Sequence, residues 1–204
     1  MTDVFQYPSQ PLVRKHGPQG YRTYESYKPW LRDEFSFRCN YCLCRERWFP
    51  DGEASFSADH VRPQSLDPDL VNVYENLLYA CCQCNSVRGT DEVPDPSVHA
   101  YGELLKIQQD GTLTAESEQG RNVIAICRLN RPKLVTFRLG MIEALSVLAG
   151  REDPDGRIAG HYLGFPDSLP NLSRLKPPGG NTKPDGVATS FFARRQHGQL
   201  PPTY

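Results

Sequence analysis

Two C-x2-C units, Cys39-Asn-Tyr-Cys42 and Cys81-Cys-Gln-Cys84, are separated by 38 residues in this chain. Each tight turn aims two thiolates at one point, and two such turns build the closed tetrahedral four-cysteine shell that structural zinc takes. Any fold that forms this shell must bring residues 39–42 and 81–84 together. The gap exceeds the ~15–20 residues of a plain zinc ribbon, so a folded unit is expected inside it. Cys44 and Cys82 are competing thiols, and Cys82, adjacent to Cys81, is expected to point elsewhere. A filled shell leaves no position open for a substrate, so this zinc stabilises the fold and does no chemistry.

The remaining composition agrees with that reading. Seven cysteines are an odd number, and the first residues have neither a basic nor an apolar leader region. Reduced thiols in a cytoplasmic setting are therefore expected rather than a disulfide framework. No apolar run approaches the length of a membrane span. A net charge of −1 removes overall basicity as an argument for nucleic-acid binding, without excluding a nucleic-acid enzyme. The charge is uneven: residues 51–100 carry nine carboxylates against two cations, while the segments on either side are net positive. Divalent cations suit the acidic block, and a polyanion would have to be held by its flanks.

Turn and periodicity signals divide the chain into four stretches: an N-terminal arm and helix (1–35), the cysteine-bearing core (36–92), a hairpin and helical extension (93–164) and a Pro/Gly-rich tail (165–204). The spacing of Tyr27, Leu31 and Phe35, with Pro29 at the start, predicts a short helix. A strand is expected over 54–61 and a short helix after the second knuckle, stopped by Gly89. Asp110-Gly111 marks a hairpin. Helices are expected from Ser117 to Leu129 and over 132–149, the second with Leu134, Phe137, Met141, Leu145 and Leu148 as a core stripe. The tail holds 11 Pro and Gly in 40 residues and reads as low-complexity. Four of the five histidines, His16, His99, His161 and His197, have no partner at ligand spacing.

The informative residues lie between and just after the knuckles. Asp59-His60-Val-Arg62-Pro-Gln-Ser65 is followed by Asn76-Leu77, then by Cys81-x2-Cys84-Asn85 and Arg88-Gly89. A D-H-x-x-P-x-S stretch ahead of N-L-x-x-x-C-x-x-C-N closely resembles the HNH endonuclease family, in its zinc-knuckled branch. Asn85 stands where the family name has its last His, giving an H-N-N variant. The resemblance covers under a third of the chain. It implies an α+β fold with a ββα-metal (His-Me finger) core between the two knuckles, in which a hairpin carries His60 and a helix carries Asn85.

The chemistry follows from residue type as well. Phosphodiester hydrolysis needs an activated water and positive charge at the phosphate. His60 is a usable general base near neutral pH. Asp59 and Asn85 offer hard oxygen ligands for one catalytic Mg2+ or Mn2+. The resemblance implies the same roles and makes Asn76 the brace of the loop that positions His60. Adjacent strand residues face opposite sides, so Asp59 and His60 can share a site only at a bulge or strand end. Arg62 and Arg88 are candidate nucleic-acid contacts, with helix capping the alternative for Arg88.

Two functions are therefore expected to compete. One is a metal-dependent endonuclease acting on DNA, of the sort the resemblance implies for a defence or mobile-element system. The other is a zinc-knuckle module that binds nucleic acid or protein and catalyses nothing. The quartet Asp59, His60, Asn76 and Asn85 separates them, because a pure binder has no need of it. Weak overall charge further suggests a recruiting or licensing protein partner.

Overall fold

A computed structural model describes residues 4–149 and 157–204. Its centre is an antiparallel hairpin of β1 (Phe56–His60) and β2 (Leu77–Cys81), running directly into α2 (Cys82–Arg88). The register pairs Phe56 with Cys81 and His60 with Leu77, residue for residue and without a bulge. β2 is buried throughout, which suits its Leu-Leu-Tyr-Ala-Cys sequence. Gly89 ends α2 at a positive φ of 60°, a conformation that glycine takes without a Cβ penalty.

Before the hairpin, α1 (Lys28–Glu34) begins at its Pro29 and buries Trp30 and Leu31 against the same core. The predicted strand over 54–61 is shorter than expected because residues 52–55 wind a 3-10 turn. After the hairpin come α3 (Tyr101–Leu104), the short ribbon β3 (Lys106–Ile107) and β4 (Leu113–Thr114), α4 (Glu118–Ile126) and α5 (Pro132–Ala149). Gly111 at φ 80° turns the ribbon, and the Ser117 hydroxyl accepts from the Gly120 amide to cap α4. α4 stops short of Leu129, with Arg128 in the left-handed region. In α5, Leu134, Met141 and Leu145 are buried as the stripe predicts, but Phe137 is 37% exposed.

The chain completes with α6 (Arg157–Leu163), α7 (Asp185–Ala188) and α8 (Phe191–Gln196). The tail is therefore not a featureless low-complexity stretch. Phe165, Phe191 and Phe37 form a small second core with Tyr204 packed on it. The N-terminal arm is also anchored: Phe5, Tyr7 and His16 are buried. His16, which has no partner at metal-ligand spacing in the sequence, hydrogen-bonds Asp33, whose Oδ2 lies 2.9 Å from the ring Nε2. Asp33 Oδ1 accepts the Phe191 amide at 2.8 Å, so one buried carboxylate joins arm, α1 and tail. Among the described residues, no helix is long and apolar enough to cross a membrane.

Candidate metal and nuclease site

The Sγ atoms of Cys39, Cys42, Cys81 and Cys84 all lie within 4.8 Å of one another, and all four residues are buried. A tetrahedron with Zn–S bonds of about 2.3 Å has S···S edges of about 3.8 Å. Cys42 and Cys81 stand 3.8 Å apart. These four thiols fit a structural zinc ion. The first turn closes through the Cys39 amide bonding the Cys44 carbonyl, with Leu43 at φ 60°. Cys44 is buried outside the cluster and Cys82 is exposed, so neither competes. Arg131 Nη2 donates to Cys84 Sγ at 3.4 Å, a partner that sequence spacing did not reveal. Together with its three neighbouring thiols, Arg131 holds the Cys84 thiol well below its ordinary pKa.

Two sets of contacts surround the Asp59–His60 dipeptide, one on each face of β1. On the α2 side, Asn85 Nδ2 donates to Ser57 Oγ at 2.9 Å and lies 3.4 Å from the Ala58 carbonyl. One turn further along α2, Arg88 Nη1 donates to Asp59 Oδ1 at 2.8 Å, and its Nη2 donates to the Val61 carbonyl at 2.9 Å. Asp59 Oδ1 also accepts the His60 amide, and Oδ2 accepts the Tyr41 hydroxyl at 2.6 Å. Tyr41 sits inside the first knuckle. Burial and the Asp59 charge push its phenol pKa well above the ordinary range, so it remains a donor. Burial lowers the Arg88 pKa, but Tyr41 and Asp59 outweigh that and hold it above its usual value.

On the opposite side, His60 is 5% exposed and ends β1. Its Nε2 lies 3.0 Å from the Val71 carbonyl and its Nδ1 lies 3.3 Å from Gln64 Nε2. A carbonyl can only accept, so in the neutral ring the Val71 contact puts the proton on Nε2 and leaves Nδ1 facing the Gln64 amide. The Tyr24 ring meets the imidazole edge-on at 4.7 Å. Gln64 lies at an unspecified position inside the D-H-x-x-P-x-S stretch, and Tyr24, 36 residues before His60, had no signal in the sequence. The Asn76 side chain holds the loop: Oδ1 accepts the Arg62 amide at 2.8 Å, and Nδ2 donates to the carbonyls of Arg62 and Leu70.

The structure therefore brings Asp59, Asn85 and Arg88 to one face and sends the His60 ring to the other. Asp59 as arranged does not fit a divalent ion, because both oxygens are engaged and Arg88 supplies the positive charge. Arg88 is neither at a phosphate-accessible surface nor capping its helix: its side chain is 1% exposed and tied to Asp59. Arg62 is 54% exposed, paired with Asp67 at 2.7 Å. A cleft of about 670 Å3 lies beside the zinc cluster, lined by Trp48, Phe49, Arg131 and Phe137 among others, and none of Asp59, His60 or Asn85 lines it.

Residues 39–91, about a quarter of the chain, match the family model for HNH endonucleases. The match begins at the first knuckle, spans the hairpin and α2, and ends just past Gly89. It agrees with the family that the D-H/N/C-x2-C-N pattern resembles, and nuclease activity is what that family generally has. No curated protein matches the chain.

Proposed function

We propose that this chain is a nuclease of the HNH kind that hydrolyses phosphodiester bonds in DNA, with a ββα-metal core and His60 as general base. The observation that supports this most is the 3.0 Å contact between His60 Nε2 and the Val71 carbonyl. In the neutral ring the Nε2–H is directed at that carbonyl, which leaves Nδ1 as the basic nitrogen. A water that replaces Gln64 at Nδ1 can give its proton there as its oxygen attacks the phosphorus, while the bond from phosphorus to the leaving ester oxygen breaks and that oxygen takes a proton from solvent. The Val71 carbonyl then stabilises the resulting imidazolium. Asn76 does not touch the ring; it holds residues 62 and 70, and so the loop that carries Val71.

Mg2+ or Mn2+ supplies positive charge to the phosphate in such chemistry. Asp59 and Asn85 would hold it only with Asp59 parted from Arg88, since as arranged both Asp59 oxygens are engaged. The protein is proposed to work in the cytoplasm with a partner that recruits or licenses it, in keeping with its weak net charge. The competing reading, a non-catalytic zinc module, draws on the closed Asp59–Arg88 pair.

Cleavage of supercoiled plasmid decides between them. Purified protein is assayed with Mg2+, Mn2+ or EDTA beside His60→Ala of equal zinc content. Metal-dependent nicking or linearisation that disappears in the variant is expected. Equal cleavage by both proteins would remove His60 from the mechanism, and no cleavage by either would favour the binding module.

A further inference from the structure

Three donors converge on the Asp59 carboxylate from within the chain: Tyr41 Oη, the His60 amide and Arg88 Nη1. Only one of them, Arg88, carries charge. Its side chain and that of Asp59 are 1% and 5% exposed, so solvent screens the pair little. The guanidinium also spans the base, gripping Asp59 before His60 and the Val61 carbonyl after it. The grip is incomplete, because the buried Arg88 Nε has no hydrogen-bond partner among the described residues.

We propose that Arg88 occupies the cation position at Asp59, so that a divalent ion reaches this carboxylate only by displacing the guanidinium. A dication and a guanidinium on one buried carboxylate would be like charges a few ångströms apart in a poorly screened site. The two are therefore alternatives. Displacement also loosens the second bond of the guanidinium, to the Val61 carbonyl that follows His60. Arg88 is thus a positioning residue that couples metal entry to the backbone just after the base, an assignment that rests on the nuclease reading for its purpose though not for its test.

That test is calorimetric titration of Mn2+ into the zinc-loaded full chain, as wild type, Arg88→Gln and Arg88→Gln with Asp59→Asn. Removing the competing charge is expected to tighten binding by about tenfold or more, the equivalent of ~1.4 kcal/mol. Adding Asp59→Asn is expected to abolish the gain. Equal affinity in wild type and Arg88→Gln, or a gain that survives Asp59→Asn, overturns the proposal. Should Arg88→Gln not fold, Mg2+ is titrated into wild type with 15N-labelled arginine. Arg88 side-chain signals that shift with added metal support displacement, and signals unmoved throughout overturn it. Plasmid cleavage is scored separately. Metal binding as expected without cleavage would refute only the nuclease reading, and cleavage with Arg88 unmoved by metal would refute only this one.

Discussion

Replacing Asn76 tests whether it acts on the substrate or on the chain. Its side chain makes three hydrogen bonds to backbone groups of Arg62 and Leu70, at 2.8, 3.1 and 3.2 Å. Asn76 is only 6% exposed, so water does not readily replace what is lost. Asn76→Ala removes all three bonds at about 1 kcal/mol each, for a total near 3 kcal/mol. For a chain of this size that lowers Tm by roughly 6–12 °C. Asn76→Asp retains an acceptor for the Arg62 amide but sets a carboxylate oxygen against two carbonyls, so its loss is expected to be at least as large. Thermal melts followed by circular dichroism at matched zinc content measure both. An alanine variant within about 2 °C of wild type, or an aspartate variant equal to wild type, would refute the bracing role.

Other expectations follow from the same geometry. Removing zinc with a chelator forfeits a term of about 10–16 kcal/mol, comparable with the ~5–15 kcal/mol that stabilises a whole domain; the cooperative melt should disappear, and a metal-free chain with an unchanged melt would contradict this. Arg131→Ala removes the donor to Cys84 Sγ and should weaken zinc affinity by about 10–100-fold in a chelator competition. In the native zinc-loaded protein at pH 8, one thiol of the seven, Cys82, should react quickly with a disulfide reagent. Cys127 should stay silent, because burial pushes its pKa up to about 12 and so keeps it protonated. Two or more fast thiols would mean that the cluster is not closed.

The sequence was most legible where chemistry imposes spacing. The knuckles brought four thiols together and set Cys82 aside, because a tetrahedral shell needs two tight turns; that Cys44 stands outside the cluster is seen only in the structure. Gly89, Gly111 and Ser117 marked their turns and cap for local reasons. What could not be read were the partners that tertiary packing chooses. Nothing about Tyr41 within its knuckle announces a bond to Asp59, and nothing about Arg88 separates a phosphate contact from a buried pair. The alternation of β1 set the condition, a bulge or strand end, under which Asp59 and His60 could share a site; the register is regular and their contacts lie on opposite faces. His16 stands outside any metal-ligand cluster, as its spacing suggested, and its hydrogen-bond partner Asp33, 17 residues away on another element, had no signal in the sequence.

The joining of arm and tail has a consequence for how the molecule is made. Asp33 meets Phe191 across 158 residues of sequence, Gly17 meets Asn181 across 164, and Arg32 meets Ser168 across 136. Contacts this distant form late, after the loop-closure entropy between them has been met. On the ribosome, the zinc-clamped hairpin can form as soon as Cys84 has emerged. The carboxylate of Asp33, the ring of His16 and the apolar face of Phe37 must wait for residues beyond 164. Until then the nascent chain has a finished metal core and an unfinished flank.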